Sequence, residues 1–352
     1  MNNLEFYYGL LIFISAIMLI MVPNIKLDFY IAWVILVFVS GMRYYVGTDY
    51  SMYRSYFKNI NTIGIGSNTQ VKMEPLYHQI NRIINIITSD DRIFFFIISF
   101  ITVTLIFIAI KQQSVNYKLS IFLFITLGYY HYSFNEMRQF ISVAVFILSG
   151  KYIKDRCFKK YLICILIASS IHTSALILLP LYFFVNKLYS IRVYQIIIAI
   201  IPLIYIGYKF VLDNVAIIIF PKYYNNYISS MSRYLSEGAG RTTLVLFCIV
   251  IGYCLLNFNS LFNKKDYNVI YFNITVIGLI FSVISLKSFM IGRIGYYFGI
   301  YLILFIPGII CEMHKRNKKY QLFLVSLCVS FCLIYFAKVL VNGGVIPYRL
   351  NI

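Results

Sequence analysis

The chain has 352 residues, 61% of them hydrophobic and only 12% charged, with a mean hydropathy of +0.80. An ordinary soluble domain carries roughly 25% charged residues, so a soluble globular protein is excluded. The net charge of +19 comes from 31 Lys and Arg against 12 Asp and Glu. The basic residues fall in the gaps between long apolar runs rather than on one polar module, which argues for loops of a multispanning membrane protein and against a nucleic-acid partner.

A transmembrane helix needs about 20 apolar residues. In chain order the candidates are 5–22, 29–46, 93–110, 119–133, 138–154, 161–185, 193–212, 242–258, 268–287, 292–311 and 320–341. The first lacks a basic leader and a small-residue cleavage site, so it is expected to be a retained span. Open strands cannot cross lipid and the runs lack strand-like alternation, so the expected fold is all-α. The expectation is a polytopic integral membrane protein of about 10–12 transmembrane helices, one domain over 1–352 with no soluble domain and the lipid bilayer as its solvent.

Two segments fall between spans. In the long loop 43–92, residues 73–89 put Leu76, Ile80, Ile83, Ile84 and Ile87 at helical spacing, opposite Asn81, Arg82 and Asn85; this reads as an interfacial helix. The loop 213–241 is rich in Tyr, Asn and Ser, a composition suited to substrate contacts.

Orientation follows from short basic loops, which face the cytoplasm. Lys151, Lys154, Arg156, Lys159 and Lys160 make one such loop, and Lys315, Arg316, Lys318 and Lys319 another. An odd number of candidate spans separates them, so one assignment between them is wrong. Either 161–185, broken around His172, enters and returns on one side, or the short run 215–220 dips into the membrane. Counting back from 151–160 puts loop 43–92 and Arg138 on the outer side. With so few carboxylates, Arg43 and Arg138 are expected to be largely unpaired there and available to an anion.

The chemistry is confined to a few strings. RYYVGTDY (43–50) offers Arg43, a planar multi-donor cation suited to phosphate; Gly47, which permits a tight turn; Asp49, the only carboxylate nearby; and Tyr50. FNEMRQ (134–139) clusters Asn135, Glu136, Arg138 and Gln139 at a helix junction. His172 lies in a long apolar run, where an ionisable group is costly; Arg138 or Asp49 is its expected partner. Arg293, with Tyr296 close by, and Arg241 sit at the starts of later spans. None of the carboxylates lies deep in an apolar run, which disfavours a proton-coupled transporter. Without CxxC, HxxxH, P-loop or GxGxxG patterns, no metal, nucleotide or other cofactor is expected. The set suits an anionic, phosphate-bearing, polyhydroxylated ligand.

Taken in order, these strings resemble the EpsG family of Wzy-type polysaccharide polymerases. The matching pieces are Arg43 with Gly47-Thr48-Asp49-Tyr50, Glu74-Pro75, Asn135 with Arg138-Gln139, His172 with Ser174-Ala175, Arg293 with Tyr296, and Pro347-Tyr348. Leu76 stands where the family often has Gly. The resemblance implies a metal-independent glycosyltransferase at the outer face of a bacterial cytoplasmic membrane. It would join oligosaccharide repeat units carried on undecaprenyl pyrophosphate into a capsule, O antigen or exopolysaccharide, with a chain-length regulator as an expected partner. Arg43, Arg138 and Arg293 would hold the pyrophosphate, His172 or Asp49 would act as base, and Gly47, Tyr50, Glu74, Asn135, Gln139, Arg241 and Tyr296 would contact substrate. A flippase for the same lipid-linked oligosaccharide is the runner-up, although its expected internal repeats are absent; a membrane O-acyltransferase using His172 is the third reading.

Overall fold

The computed structural model describes residues 27–62, 73–211, 241–262, 267–287, 289–314, 345, 348 and 349. The expected spans 5–22 and 320–341, and loop 213–241 up to residue 240, lie outside the described residues. Among the described residues there are 15 α-helices and no strand, in agreement with the all-α expectation. Two helices, Asp91–Gln113 and Asn268–Ser285, are long and apolar enough to cross a membrane, or three if the pair Gly292–Gly299 and Leu302–Met313, bent by 41°, is one span. The shorter apolar helices include 28–41, 117–126, 191–207 and 241–256.

The chain forms two compact units, 1–182 with 307–352, and 183–306. The first opens with α1 (Asp28–Gly41), α2 (Tyr50–Lys58), α3 (Pro75–Ile87) and α4 (Asp91–Gln113). Asp90 caps α4 by accepting from the Arg92 amide, and Pro75 starts α3 where a missing N–H costs nothing. The helices α1 and α4 touch at Gly41, where a Cβ would lie 2.9 Å from the Cα of Phe96. Polar side chains tie these helices together: Ser40 donates to Ser99 at 2.9 Å and Trp33 to Thr104 at 3.0 Å.

The expected span 119–133 is two helices, α5 (Tyr117–Thr126) and α6 (Tyr129–Asn135), broken at Gly128, whose φ of 82° ends the first. After a one-residue break at Glu136 comes α7 (Met137–Lys154). Antiparallel to it runs α8 (Phe158–Ile171), with Ser142 donating to the Ala168 carbonyl at 3.0 Å.

The expected span 161–185 is resolved differently. His172 is extended, with φ −151° and ψ 110°, and ends α8. A 3₁₀ turn (Thr173–Leu178) and α9 (Leu181–Phe184) then carry the chain back along the helix it has just left. Tyr161 donates to the carbonyl of Leu178 at 2.6 Å, and the rings of Phe158 and Tyr182 are 5.1 Å apart. The segment is a helical hairpin with His172 at its tip, its 14-residue arm rising about 21 Å.

The interfacial helix α3 also needs a correction. Asn81, expected on its polar outer side, is fully buried and donates to the Tyr77 carbonyl at 2.8 Å, whereas Ile83, Ile86 and Ile87 are exposed. Arg82 stays exposed as expected, so it is the Asn81 edge that turns inward, on the side where buried His78 shares a hydrogen bond of 2.6 Å with the Tyr56 hydroxyl. Isoleucines left outside suit a lipid surround.

The second unit contains α10 (Ile191–Val211), α11 (Arg241–Leu256), α12 (Phe258–Leu261), α13 (Tyr267–Ser285), α14 (Phe289–Gly299) and the start of α15 (Leu302–His314). Asn273 organises it by donating to the carbonyls of Val185 and Lys187 and accepting from Tyr194. Gly278 lets α13 close on α11, since a Cβ there would meet the Phe247 ring at 2.7 Å.

Candidate active site

The loop between α1 and α2 is shaped by two left-handed residues. Tyr45 has φ 52°, a conformation that costs a bulky residue of order 1–3 kcal/mol. Gly47 has φ 102° and lies so close to α6 that a Cβ would stand 2.6 Å from Asn135 Oδ1. That same oxygen accepts from the Thr48 amide at 2.9 Å. Gly47 and Asn135, distant in sequence, therefore join loop 43–50 to the α6–α7 junction.

Arg43 turns inward from this loop and is only 2% exposed. Its guanidinium lies between the rings of Phe95 and Phe134, with centroids at 5.0 and 4.9 Å. It donates to the Ser40 carbonyl, to Ser99 Oγ at 3.1 Å and to Met137 Sδ at 3.2 Å. Tyr50, also fully buried, stacks on Phe95 at 4.1 Å. Nearby, the Tyr348 hydroxyl donates to the Val39 carbonyl, and the Tyr44 amide to the carbonyl of Arg349 at 2.9 Å. Gln139 is buried on the first turn of α7.

A second group gathers at Glu74, the residue before α3. Its Oε2 is 2.5 Å from Arg138 Nη1, at the start of α7. Its Oε1 is 3.0 Å from His172 Nδ1, at the hairpin tip, and accepts from the Thr173 amide at 3.2 Å. All three side chains keep some exposure: 14% for Glu74, 20% for Arg138 and 24% for His172. Arg138 is also held against the Tyr53 hydroxyl. The partner of His172 is thus Glu74, rather than Asp49 or Arg138. Asp49 accepts from Thr48 Oγ1 at 3.1 Å, ahead of α2.

Burial opposes ionisation of Glu74, but the hydrogen bond to His172 and the positive charge of Arg138 outweigh it and hold the carboxyl down at about 2. An ionised carboxylate only accepts, so the hydrogen of this contact belongs to Nδ1, and Nε2 is the ring nitrogen that Glu74 does not engage. Arg138, held by Glu74 and by the Tyr53 hydroxyl, brings a positive charge to the same carboxylate.

The expectation that Arg43 and Arg138 stand unpaired and available is met by neither in full: Arg43 has no carboxylate partner among the described residues but is enclosed, and Arg138 is paired. Arg138 pairs with Glu74, Arg54 with Asp91 at 2.6 Å and Arg92 with Asp90 at 3.2 Å. Three side chains important here, Tyr45, Arg54 and Asp91, are given no role by the sequence alone. Arg54 and Asp91 lie 37 positions apart, and no local pattern connects them. In the second unit, Arg241 is exposed at the start of α11, and Arg293 and Tyr296 are half-buried on α14.

The EpsG family model matches residues 26–350. The chain belongs to the EpsG family. Members of that family are Wzy-like polysaccharide polymerases, which places this protein among membrane glycosyltransferase-like polymerases of exopolysaccharide biosynthesis. No curated protein and no solved structure matches the chain. The EpsG match takes in both groups described above, around Arg43 and around Glu74.

Proposed function

We propose that this EpsG-family protein polymerises oligosaccharide repeat units carried on undecaprenyl pyrophosphate, at the outer face of the bacterial cytoplasmic membrane. The observation that carries the reading is the bridge made by Glu74 between His172 and Arg138. A hydroxyl of the acceptor unit attacks the anomeric carbon of the donor chain; the bond from that carbon to the pyrophosphate oxygen breaks, and undecaprenyl pyrophosphate leaves with the electron pair. His172 Nε2 takes the hydroxyl proton as general base. Arg138 offsets the charge that grows on the leaving oxygen. Glu74 contributes by fixing the imidazole tautomer and the guanidinium together, and so is a positioning residue.

In this reading Arg43 shapes the loop from within, while Arg138 faces the pyrophosphate. Sidedness is supported by the hairpin, since a segment that enters and returns on one side is one of the two ways to reconcile the basic loops at 151–160 and 315–319. Both then face the cytoplasm under the positive-inside rule, with the His172 tip on the opposite side.

Electrophoresis of surface glycan tests the function. A strain carrying His172→Ala is expected to lose the ladder of long chains and keep single repeat units on the final acceptor, with the protein present in the membrane at its normal level. A total loss of surface sugar would indicate a flippase, and chains of normal length lacking acyl groups an acyltransferase; either would overturn the proposal.

A further inference from the structure

The loop that carries Gly47 also presents two aromatic residues that the mechanism above does not use. Tyr44 is 37% exposed and Tyr45 is 44% exposed, their rings edge to face at 4.7 Å. Large aromatics in a soluble core would be covered; here they are held outward by specific contacts. Arg54 donates to the Tyr45 hydroxyl at 2.6 Å and lies 5.4 Å from its ring centroid. Asp91 in turn holds Arg54 at 2.6 Å and Lys58 at 3.2 Å. From below, the Tyr45 ring rests against buried Tyr50 at 5.1 Å. The backbone of Tyr45 is left-handed, which an unconstrained tyrosine avoids. An exposed ring held by a strained backbone, a cation and a second ring is a preformed surface rather than a loose side chain.

Its position relates it to the proposed reaction. Three residues on, the Thr48 amide is bonded to Asn135, the last residue of α6, and Arg138 follows just past the break at Glu136, at the start of α7. Tyr53 is within electrostatic reach of both Asp49 and Arg138, so the loop and the Glu74 group share one neighbourhood of the first unit. Pyranose rings carry an apolar C–H face and polar edges. An exposed aromatic pair, one ring carrying a cation over it and at its hydroxyl, matches both.

We propose that Tyr44 and Tyr45 form a sugar-stacking subsite that seats a pyranose of the repeat unit beside the Glu74 group, with Arg54 and Asp91 as positioning residues for Tyr45. The proposal rests on the polymerase reading. It makes Tyr45 a determinant of substrate affinity, whereas His172 and Arg138 act on the chemical step.

The test uses the full-length protein in membrane vesicles, with lipid-linked repeat units extracted from the producing strain as substrate and the free repeat oligosaccharide as competitor. Tyr45→Ala is expected to raise KM and the inhibition constant of the free oligosaccharide about tenfold while kcat changes little, a change equivalent to about 1.4 kcal/mol of binding. Tyr45→Phe, which keeps the ring and loses the hydroxyl anchor, and Arg54→Lys, which loses the planar fork, are expected to show smaller rises of the same kind. Unchanged KM and inhibition constant in Tyr45→Ala would overturn the subsite. So would a variant whose only defect is less protein in the membrane, the mark of an interfacial aromatic anchor. Failure of the polymerase reading is separate, since the wild-type protein would then form no polymer from these lipids at all.

Discussion

Two arginines, both expected at the outset to hold pyrophosphate, lie in opposite surroundings. Arg43 is almost completely enclosed by aromatic rings, serine oxygens and a methionine sulfur. Arg138 meets a carboxylate that also holds a histidine, and keeps an accessible side. Both carry the same charge, so charge does not distinguish them; the difference lies in what the charge can still reach. A guanidinium that is enclosed on all sides stabilises a loop, and one that is held but keeps part of its surface exposed can still meet a ligand.

Substitutions at the Glu74 group should reduce activity and leave the protein in place, and those around Arg43 should do the reverse. The largest expected effect is that of His172→Ala, a loss of polymerisation rate of about 100- to 10,000-fold at unchanged membrane level, measured with extracted lipid-linked repeat units. Next, Arg43→Ala leaves the cavity of a long side chain and strands the Ser40 and Ser99 acceptors; it should destabilise the detergent-solubilised protein by about 3–5 kcal/mol, seen as a lowered Tm and poor accumulation. A normal Tm for Arg43→Ala would show that this arginine is not structural.

Gly47→Ala should come third. It forces a Cβ onto Asn135 at a positive φ, and a loss of about 1–3 kcal/mol in thermal stability is expected, accompanied by reduced activity as the loop detaches from α6. The smallest effect concerns pH. The Glu74 carboxyl is lowered from its ordinary 4.5 to about 2, so the stability it lends is complete above pH 4.5 and is lost as pH falls through 2. The stability difference between wild type and Glu74→Gln, at most on the order of 3 kcal/mol, should stay flat from neutral pH down to about 5 and shrink only below. A difference that collapsed between pH 7 and 5 would contradict the ion-paired state of Glu74.

The comparison also shows which parts of the molecule were legible in the sequence. The helical class followed from hydropathy, and the break at His172 was visible as polar residues interrupting an apolar run. What hydropathy does not encode is chain direction, so it left open whether 161–185 is one span or, as the contact of Tyr161 with Leu178 shows, a hairpin. The residues of the Glu74 group were all singled out, but the pairing of Glu74 with His172 and Arg138 was not. Glu74 and His172 are 98 positions apart, and only packing of α3 against the hairpin tip pairs them. Amphipathic patterning assigned Asn81 to the outside of α3 because it assumes polar groups seek water, an assumption that reverses where lipid is the solvent. Arg43 misled for a related reason: an aromatic cage drawn from α4 and α6 has no trace in the residues next to it.

The central claim is that Glu74 acts through His172 and Arg138 as one unit, and a double-mutant cycle in kcat/KM addresses it directly. Glu74→Gln alone is expected to slow polymerisation by about 10- to 100-fold through loss of orientation. Introduced into His172→Ala, it should cost little more, since the imidazole it positions is already gone. If the two losses instead multiply in full, Glu74 and His172 work independently, and the bridge on which the mechanism rests would have no catalytic meaning.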